Sequence, residues 1–467
     1  MTLLGFPLDR EGPTAQPLRL PPLIGRPTAT AVELSVMAGE RALELELRLG
    51  IEPRRDEQAP AEPTPGEPAL EVRPLDDGAR LQPLQVRELL IDGLKPGTAY
   101  RFELTARAGS DEQKVAGRFV TQRPEGSTFA FVVMADPHLP VPSRWLLQAD
   151  ERHELLQLRG FLQYRTEIAR VFLKALQSIR TQSPDFIISL GDQFDLHALG
   201  FNPSFPDAEL VELAYQDFRG CLGATGSEAA LFTVVGNWDG ENGDLPESAR
   251  RFAIEARKKY ILNPRPSTYP EGGSADGNYY AWSWGDTLCV VLDVMGPTRT
   301  THTLGHMPDE GTATDWTLGR AQLEWLEKTL ARSRATFKML FIHHAVGGNA
   351  GDEVNSAYGR GGGRAARVGE QATLHALMQK HGVQIFFYGH DHVFTDMVVD
   401  GIHYTLPGSV GAPWKFDAGE TGYESFDPRS GFALVHVSPS RLRVEFLDLS
   451  GKVFNAYEVA ADSEPSH

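Results

Sequence analysis

"FVVMADPH" (residues 131–138) is a valine-rich apolar run that stops on Asp136, Pro137 and His138. A short continuous apolar run bounded by a turn signal reads as a strand covered on both faces, the habit of parallel sheets. The same construction recurs downstream. "IISLGDQFD" (187–195) ends in Gly191-Asp192, with Asp195 three residues on. "TVVGNWD" (233–239) ends in Gly236-Asn237-Trp238, "LFIHH" (340–344) in His343-His344, and "FFYGHDH" (386–392) in Gly389-His390 with His392 beyond. "RTEIARVFLKALQSIR" (165–180) and "RAQLEWLEKTLARS" (320–333) carry apolar residues at helical spacing. Alternating strands and helices predict an α/β domain over 128–458 with helices covering its sheets. In open α/β folds ligands bind at the carboxyl ends of strands. Five strand ends bearing Asp, Asn and His can therefore converge on one crevice.

The residues ahead of this domain read differently. Residues 1–23 are Pro-rich and predict an extended arm. From 24 to 122 the pattern is all-β: "TAVELSV", "ALELELRL", "RELLIDGL", "AYRFELTARA" and "KVAGRFV" alternate and are divided by turn residues. "PRRDEQAPAEPTPGEPA" (53–69) is a Pro- and Glu-rich insert. In "GLKPGTAYRFEL" (93–104) a turn delivers Tyr100 into a strand, as in the tyrosine corner of a β-sandwich. The stretch resembles a fibronectin type III domain, an immunoglobulin-like sandwich. "TQRPEGS" (121–127) reads as a linker, "FALVHVSPSRLRVEFLDLSGKVF" as a closing hairpin, and 459–467 as a frayed tail.

The donor types constrain the chemistry. Carboxylate, imidazole and amide oxygen without thiolate suit divalent Mn, Fe, Zn, Ni or Co. Asp136, His138, Asp192, Asn237, His343, His390 and His392 are too many donors for one ordinary site. Two ions sharing a bridging carboxylate fit better, and ions about 3.5–4 Å apart suit in-line displacement at phosphorus. The order D-x-H, G-D-x-x-D, G-N-x-D, H-H, G-H-x-H resembles the calcineurin-like metallophosphoesterases over roughly 128–450. With the front domain, the layout is similar to purple acid phosphatases and related bacterial phosphoesterases. The resemblance implies a two-sheet βαβαβ sandwich with its site at one sheet edge. It implies that Asp136, His138 and His392 hold a first ion, that Asn237, His343 and His390 hold a second, and that Asp192 bridges them. It further implies hydrolysis of a phosphomonoester or phosphodiester, a small-molecule ester, by a metal-bridged hydroxide. The family ligand is normally the first of a His pair, so His343 is the expected ligand. His344 lines the site or simply packs, and lining is the expectation.

Two departures from the family stand out. The position three after the bridging Asp is a tyrosine bound to ferric iron in purple acid phosphatases. Here it is Asp195, so neither purple colour nor a ferric requirement is expected, and Asp195 either reaches the first ion or orients a neighbour. Trp238 stands where the superfamily usually has a proton-handling His. Indole has one N–H donor and no useful pKa, so Trp238 can bind substrate but not deliver a proton. Three readings follow. Another residue supplies the proton (His197, His302, His306 and His344 are the candidates), the leaving group needs no help, or the site mainly binds. His344 and His197 are the catalytic choices. The segment 345–371 carries Arg360, Arg364 and Arg367, and Arg364 is the choice for holding phosphate. With 295–319 it is expected to shape specificity.

Composition narrows the partners. The 467 residues carry a net charge of -17 with 41% hydrophobic residues, and no basic stripe suggests long nucleic acid. No window reaches the ~18 apolar residues of a membrane span. The first residues show no basic, apolar leader, and the two cysteines, Cys221 and Cys289, make no disulfide framework. These features predict a protein with two buried thiols that is cytoplasmic, or secreted if a leader has been removed. The rival to the enzyme is a metal-retaining binding or scaffold protein with a degenerate phosphatase site, which Trp238 alone supports.

Overall fold

The computed structural model describes residues 16–52, 70–75, 80–141, 151–196, 208–243, 245–298, 317–344, 369–415, 423 and 425–461. The front region is wholly antiparallel. One sheet pairs Leu18–Gly25, Val32–Ala38 and Val86–Ile91. The other orders Glu71–Arg73, Leu43–Ile51, Ala99–Ala108 and Asp111–Val120, with Arg80–Leu81 beside the second of these. Alternation decides the faces. Leu43, Leu45, Leu47 and Leu49 are buried while Glu44 and Arg48 are exposed. Most buried residues of both sheets share one apolar cluster, while Leu20, Leu23 and Met37 join the one around the helix Ala208–Gly226. The turn before Ala99–Ala108 is pinned by the Lys95 backbone N–H, which donates to the Tyr100 hydroxyl at 2.8 Å.

Residues 18–23, expected in the extended arm, belong to a strand that holds Pro21 and Pro22. Irregular register between Leu18 and Leu20 and between Leu20 and Leu23 spares the prolines the N–H they lack. This strand packs against the helix Ala208–Gly226. There Arg219 is fully buried and donates to the Ser35 hydroxyl at 2.8 Å and to the Ser35 carbonyl. It ties the front sheets to the α/β domain, and among the described residues no carboxylate is a hydrogen-bond partner to it.

The α/β domain is built on two mixed sheets. The first orders Ala230–Thr233, Phe186–Ser189, Phe129–Met134, Gly431–Ser438, Arg441–Asp448 and Val453–Ala460. Its first three strands are parallel and the last three form antiparallel ladders. The second orders Tyr280–Trp284, Thr287–Val291, Phe337–Phe341, Ile385–Phe387, Ile402–Pro407 and Phe394–Val399, parallel except at its two edges. Strand alternation separates the layers. Phe131 and Val133 enter the core between the sheets, whereas Val132 and Met134 meet the helices Glu151–Thr181 and Ala208–Gly226. On the second sheet Met339 and Phe341 point inward, and Leu340 packs with Leu326 and Leu330 of the helix Gly319–Arg332. The sheets meet through aromatic contacts such as Phe232 stacked on Trp282 at 4.0 Å. Cys221 is half-buried and Cys289 buried, and both are free thiols. No helix among the described residues is long and apolar enough to cross a membrane.

Candidate metal centre

Parallel strands place their carboxyl ends on one side, and six of them meet here. The turns after Phe129–Met134, Phe186–Ser189 and Ala230–Thr233 face those after Phe337–Phe341, Ile385–Phe387 and Ile402–Pro407. Close approach is enforced by glycine. A Cβ at Gly236 would lie 2.2 Å from the Asp192 amide nitrogen, and one at Gly191, φ +99°, would lie 2.9 Å from His343 Nδ1. Five candidate ligands, Asp136, His138, Asp192, His390 and His392, have positive φ of 46° to 77°. Such conformations cost a non-glycine residue about 1–3 kcal/mol and persist where the surroundings enforce them, often at functional sites.

The donor atoms fall into two sets. Asp136, His138, Asp192 and His392 form one, and Asp192, His343 and His390 form the other, within 4.8 Å in each. All are buried. Asp192 belongs to both. Among the described residues its Oδ2 has no hydrogen-bond partner, and it lies 3.4 Å from His138 Nε2 and 3.2 Å from His343 Nε2. Its Oδ1 accepts the Trp238 backbone N–H at 2.8 Å. Asn237 Oδ1 lies 2.9 Å from His343 Nε2 and 3.0 Å from His390 Nδ1, which adds it to the second set. His138 Nε2 and His392 Nε2 are 3.1 Å apart, and His392 Nε2 is 3.5 Å from Asp136 Oδ1. Donors bound about 2.0–2.2 Å from one ion lie about 3.0–3.5 Å from one another. These spacings, with a buried carboxylate oxygen left unbonded, fit a divalent ion in each set.

Surrounding groups orient the rings. Asp195 Oδ1 is 2.5 Å from His138 Nδ1, behind the ring. The Leu190 carbonyl faces His343 Nδ1 at 2.8 Å and the Trp414 carbonyl faces His392 Nδ1 at 3.0 Å. Asp195 is thus placed to orient a ligand. Asp239 accepts the backbone N–H groups of Asp192, Gln193 and Gly236 at 3.1, 2.8 and 2.7 Å, lacing two ligand turns together. Tyr423 donates to Asp391, between His390 and His392, at 2.7 Å. Burial opposes charge at His343, but Asp192, Asp136 and the Leu190 carbonyl outweigh it and raise the imidazole to about 9. His138 is raised likewise against burial by Asp195, Asp192 and Asp136. Burial, with the positive fields of His138 and Lys415, lowers His392 despite Asp136.

The other expected residues are placed as follows. Trp238 is half-buried with its ring edge-on to His138 at 5.8 Å. His344 is buried against the His390 ring at 4.5 Å and joins neither donor set. His197, His302, His306, Arg360, Arg364 and Arg367 lie outside the described residues. The sequence reading missed the turn that follows Ile402–Pro407. Its Trp414 ring stands edge-on to His138 at 4.7 Å and His392 at 5.4 Å. Beside it, burial pushes the Lys415 amine down to about 8 against the charge of Asp136. The signal was available: "IHYTLPGS" (402–409) is another apolar run stopping on Gly and Ser.

A carboxylate shared by two histidine-rich sets, at the carboxyl ends of two facing sheets, defines a candidate dinuclear metal centre. Residues 129–394, more than half of the chain, match the calcineurin-like phosphoesterase family model, and the chain belongs to that family. Its fold is similar to that of purple acid phosphatase PPD1 from seeds of yellow lupin (Lupinus luteus), at 14% identity and a TM-score of 0.59, covering 94% of this chain and 74% of that one. It is also similar to PhoD, at 12% identity and a TM-score of 0.62, covering 97% and 92%. At such identities the likeness bears on the fold alone. No curated protein sequence matches the chain.

Proposed function

We propose that the protein hydrolyses phosphate esters of small molecules with two divalent ions held at this centre. Asp136, His138 and His392 hold the first, Asn237, His343 and His390 the second, and Asp192 both. The observation that carries the reading is Asp192, whose unbonded Oδ2 faces His138 on one side and His343 on the other. The donor set suits Mn, Fe, Zn, Ni or Co. When bound, such a pair supplies an activated water and the charge that stabilises in-line displacement at phosphorus. The protein's own groups do the positioning. Asp195, the Leu190 carbonyl and the Trp414 carbonyl fix the ring nitrogens away from the ions, as outer partners of metal-binding histidines do. The Trp238 N–H holds Asp192 Oδ1, so the other oxygen stays directed between the sets. The Trp238 indole lines the substrate space beside His138 and offers one donor without a transferable proton. Proton delivery then falls to His344 or His197, or the natural leaving group needs none. Tyr100 supports a fibronectin type III-like reading of the front domain, whose role is to brace the α/β domain.

A leaving-group series tests this. The protein is loaded with Mn or Zn and assayed on aryl and alkyl phosphate mono- and diesters. Turnover of small esters that is absent after chelation supports the reading. Two ions bound with no hydrolysis of any ester overturns it in favour of a binding protein. A rate falling steeply as leaving-group pKa rises marks Trp238 as a missing acid, and a shallow dependence points to a donor elsewhere.

A further inference from the structure

The residues 408–415 close over the first donor set. The Val410 N–H donates to the Ala135 carbonyl at 2.9 Å, and the Ser409 hydroxyl and Ala412 N–H donate to the Asp136 carbonyl at 3.0 and 3.1 Å. A Cβ at Gly411 would lie 1.8 Å from the Pro137 carbonyl oxygen, so only glycine lets the two turns touch. Ser409 Oγ also accepts the Gly411 and Ala412 N–H groups, which stiffens the turn. The turn therefore carries Trp414 and Lys415 to the centre as a rigid piece.

Lys415 is oriented unusually. A lysine near a surface normally buries its methylenes and leaves the ammonium in water. Here the side chain as a whole is half-buried, yet Nζ is shielded from solvent and has no hydrogen-bond partner among the described residues. The ring of the adjacent Trp414 stands 4.7 Å from that of His138 and 5.4 Å from that of His392, so Lys415 sits beside the first donor set. A buried ammonium with no acceptor is costly, and a bound anion is the natural acceptor. Arginine or histidine would recognise a flat or neutral group as well; an ammonium is a compact point charge suited to a phosphate oxygen.

We propose that Lys415 is a substrate-binding residue that holds a non-bridging phosphoryl oxygen, and that its added positive charge makes the site select phosphomonoesters, which carry two negative charges, over singly charged phosphodiesters. The proposal rests on the phosphoesterase reading above for its substrate. The pull on the anion, however, is a property of the site with or without turnover.

The test uses the full chain loaded with Mn, as wild type, Lys415→Met and Lys415→Arg, each checked for two ions and an unchanged Tm. Calorimetry measures binding of inorganic phosphate, and kinetics compare 4-nitrophenyl phosphate with bis(4-nitrophenyl) phosphate. Loss of one charged hydrogen bond is expected to weaken phosphate binding, and raise KM for the monoester, by about tenfold or more. KM for the diester should move far less, and Lys415→Arg should restore most of the phosphate affinity. Equal phosphate affinity in wild type and Lys415→Met overturns the proposal, as does an equal rise in KM for both esters. If no ester is hydrolysed but phosphate binding still depends on Lys415, the phosphoesterase reading fails and the anion site stands.

Discussion

Replacing Asp195 by asparagine isolates the outer support of one ion from the ligands themselves. Asp195 is buried, and its Oδ1 sits 2.5 Å from His138 Nδ1. That bond fixes the imidazole so that Nε2 faces Asp192 and His392. Asparagine keeps the shape and an acceptor oxygen but removes the charge. A hydrogen bond to a charged group contributes about 1.5–3 kcal/mol against about 0.5–1.5 for a neutral one, so the difference is on the order of 1–1.5 kcal/mol. That corresponds to about tenfold in affinity, and outer partners of metal-binding histidines typically change affinity about 10–100-fold. The first ion should therefore bind about tenfold or more weakly in Asp195→Asn, and the second should change little, because Asp195 stands behind His138, a ligand of the first ion. Titration calorimetry of the metal-free protein with Zn reads the two events separately. Unchanged affinities, or an equal fall in both, would refute Asp195 as the orienting group of His138 alone.

Asp192→Asn should behave differently, removing both ions and reducing turnover to background; retention of substantial activity with two ions would sink the shared-carboxylate centre. Trp238→His should raise the rate for alkyl esters by up to about 10²-fold, the low end of a positioned general acid, with the backbone N–H to Asp192 intact. An unchanged leaving-group dependence would show that the proton comes from elsewhere. His343 adds a pH signature. With its pKa raised to about 9 in the metal-free protein, a divalent ion must displace its proton. Metal affinity should accordingly rise with pH up to about 9, by about tenfold per unit for that one proton. Proton release measured in buffers of different ionisation enthalpy checks this, and a pH-independent affinity would contradict it. In the same metal-free protein a raised pKa contributes stability below the unfolded value of 6.5, which is lost as pH rises through about 9. Thermal unfolding across that window should show Tm falling toward alkaline pH, and a rising Tm would reverse the assigned sign.

Much of the centre was legible before the fold. Asp136, Asp192, Asn237, His343 and His390 each sit directly after an apolar run, and a buried strand that stops on a turn is a local pattern of residue type and period. The alternation that sends Phe131 inward and Val132 toward the helices is equally local. The turn glycines belong to the same class of signal, since Gly191 and Gly236 are required by what lies against their Cα. Local signals misled where partners decided. Pro21 and Pro22 read as an arm, but register irregularities and burial against the helix Ala208–Gly226 make that segment a strand. Asp239 was written into the G-N-x-D pattern without a task. Its task is to bind amides from the Asp192 turn, 47 residues away.

The pairing of donors into two sets, the place of Asp195 behind a ring, and the delivery of Trp414 and Lys415 to the first set could come only from tertiary structure. His138 and His392 are 254 residues apart, and His343 and Asn237 are 106. Sequence determined which residues can bind an ion or an anion and that they stand at strand ends, because these follow from side-chain chemistry and a two-residue period. Which of them share an ion, and which charge faces the substrate, depend on how two sheets pack face to face, because no residue's own sequence neighbourhood contains the groups its side chain meets.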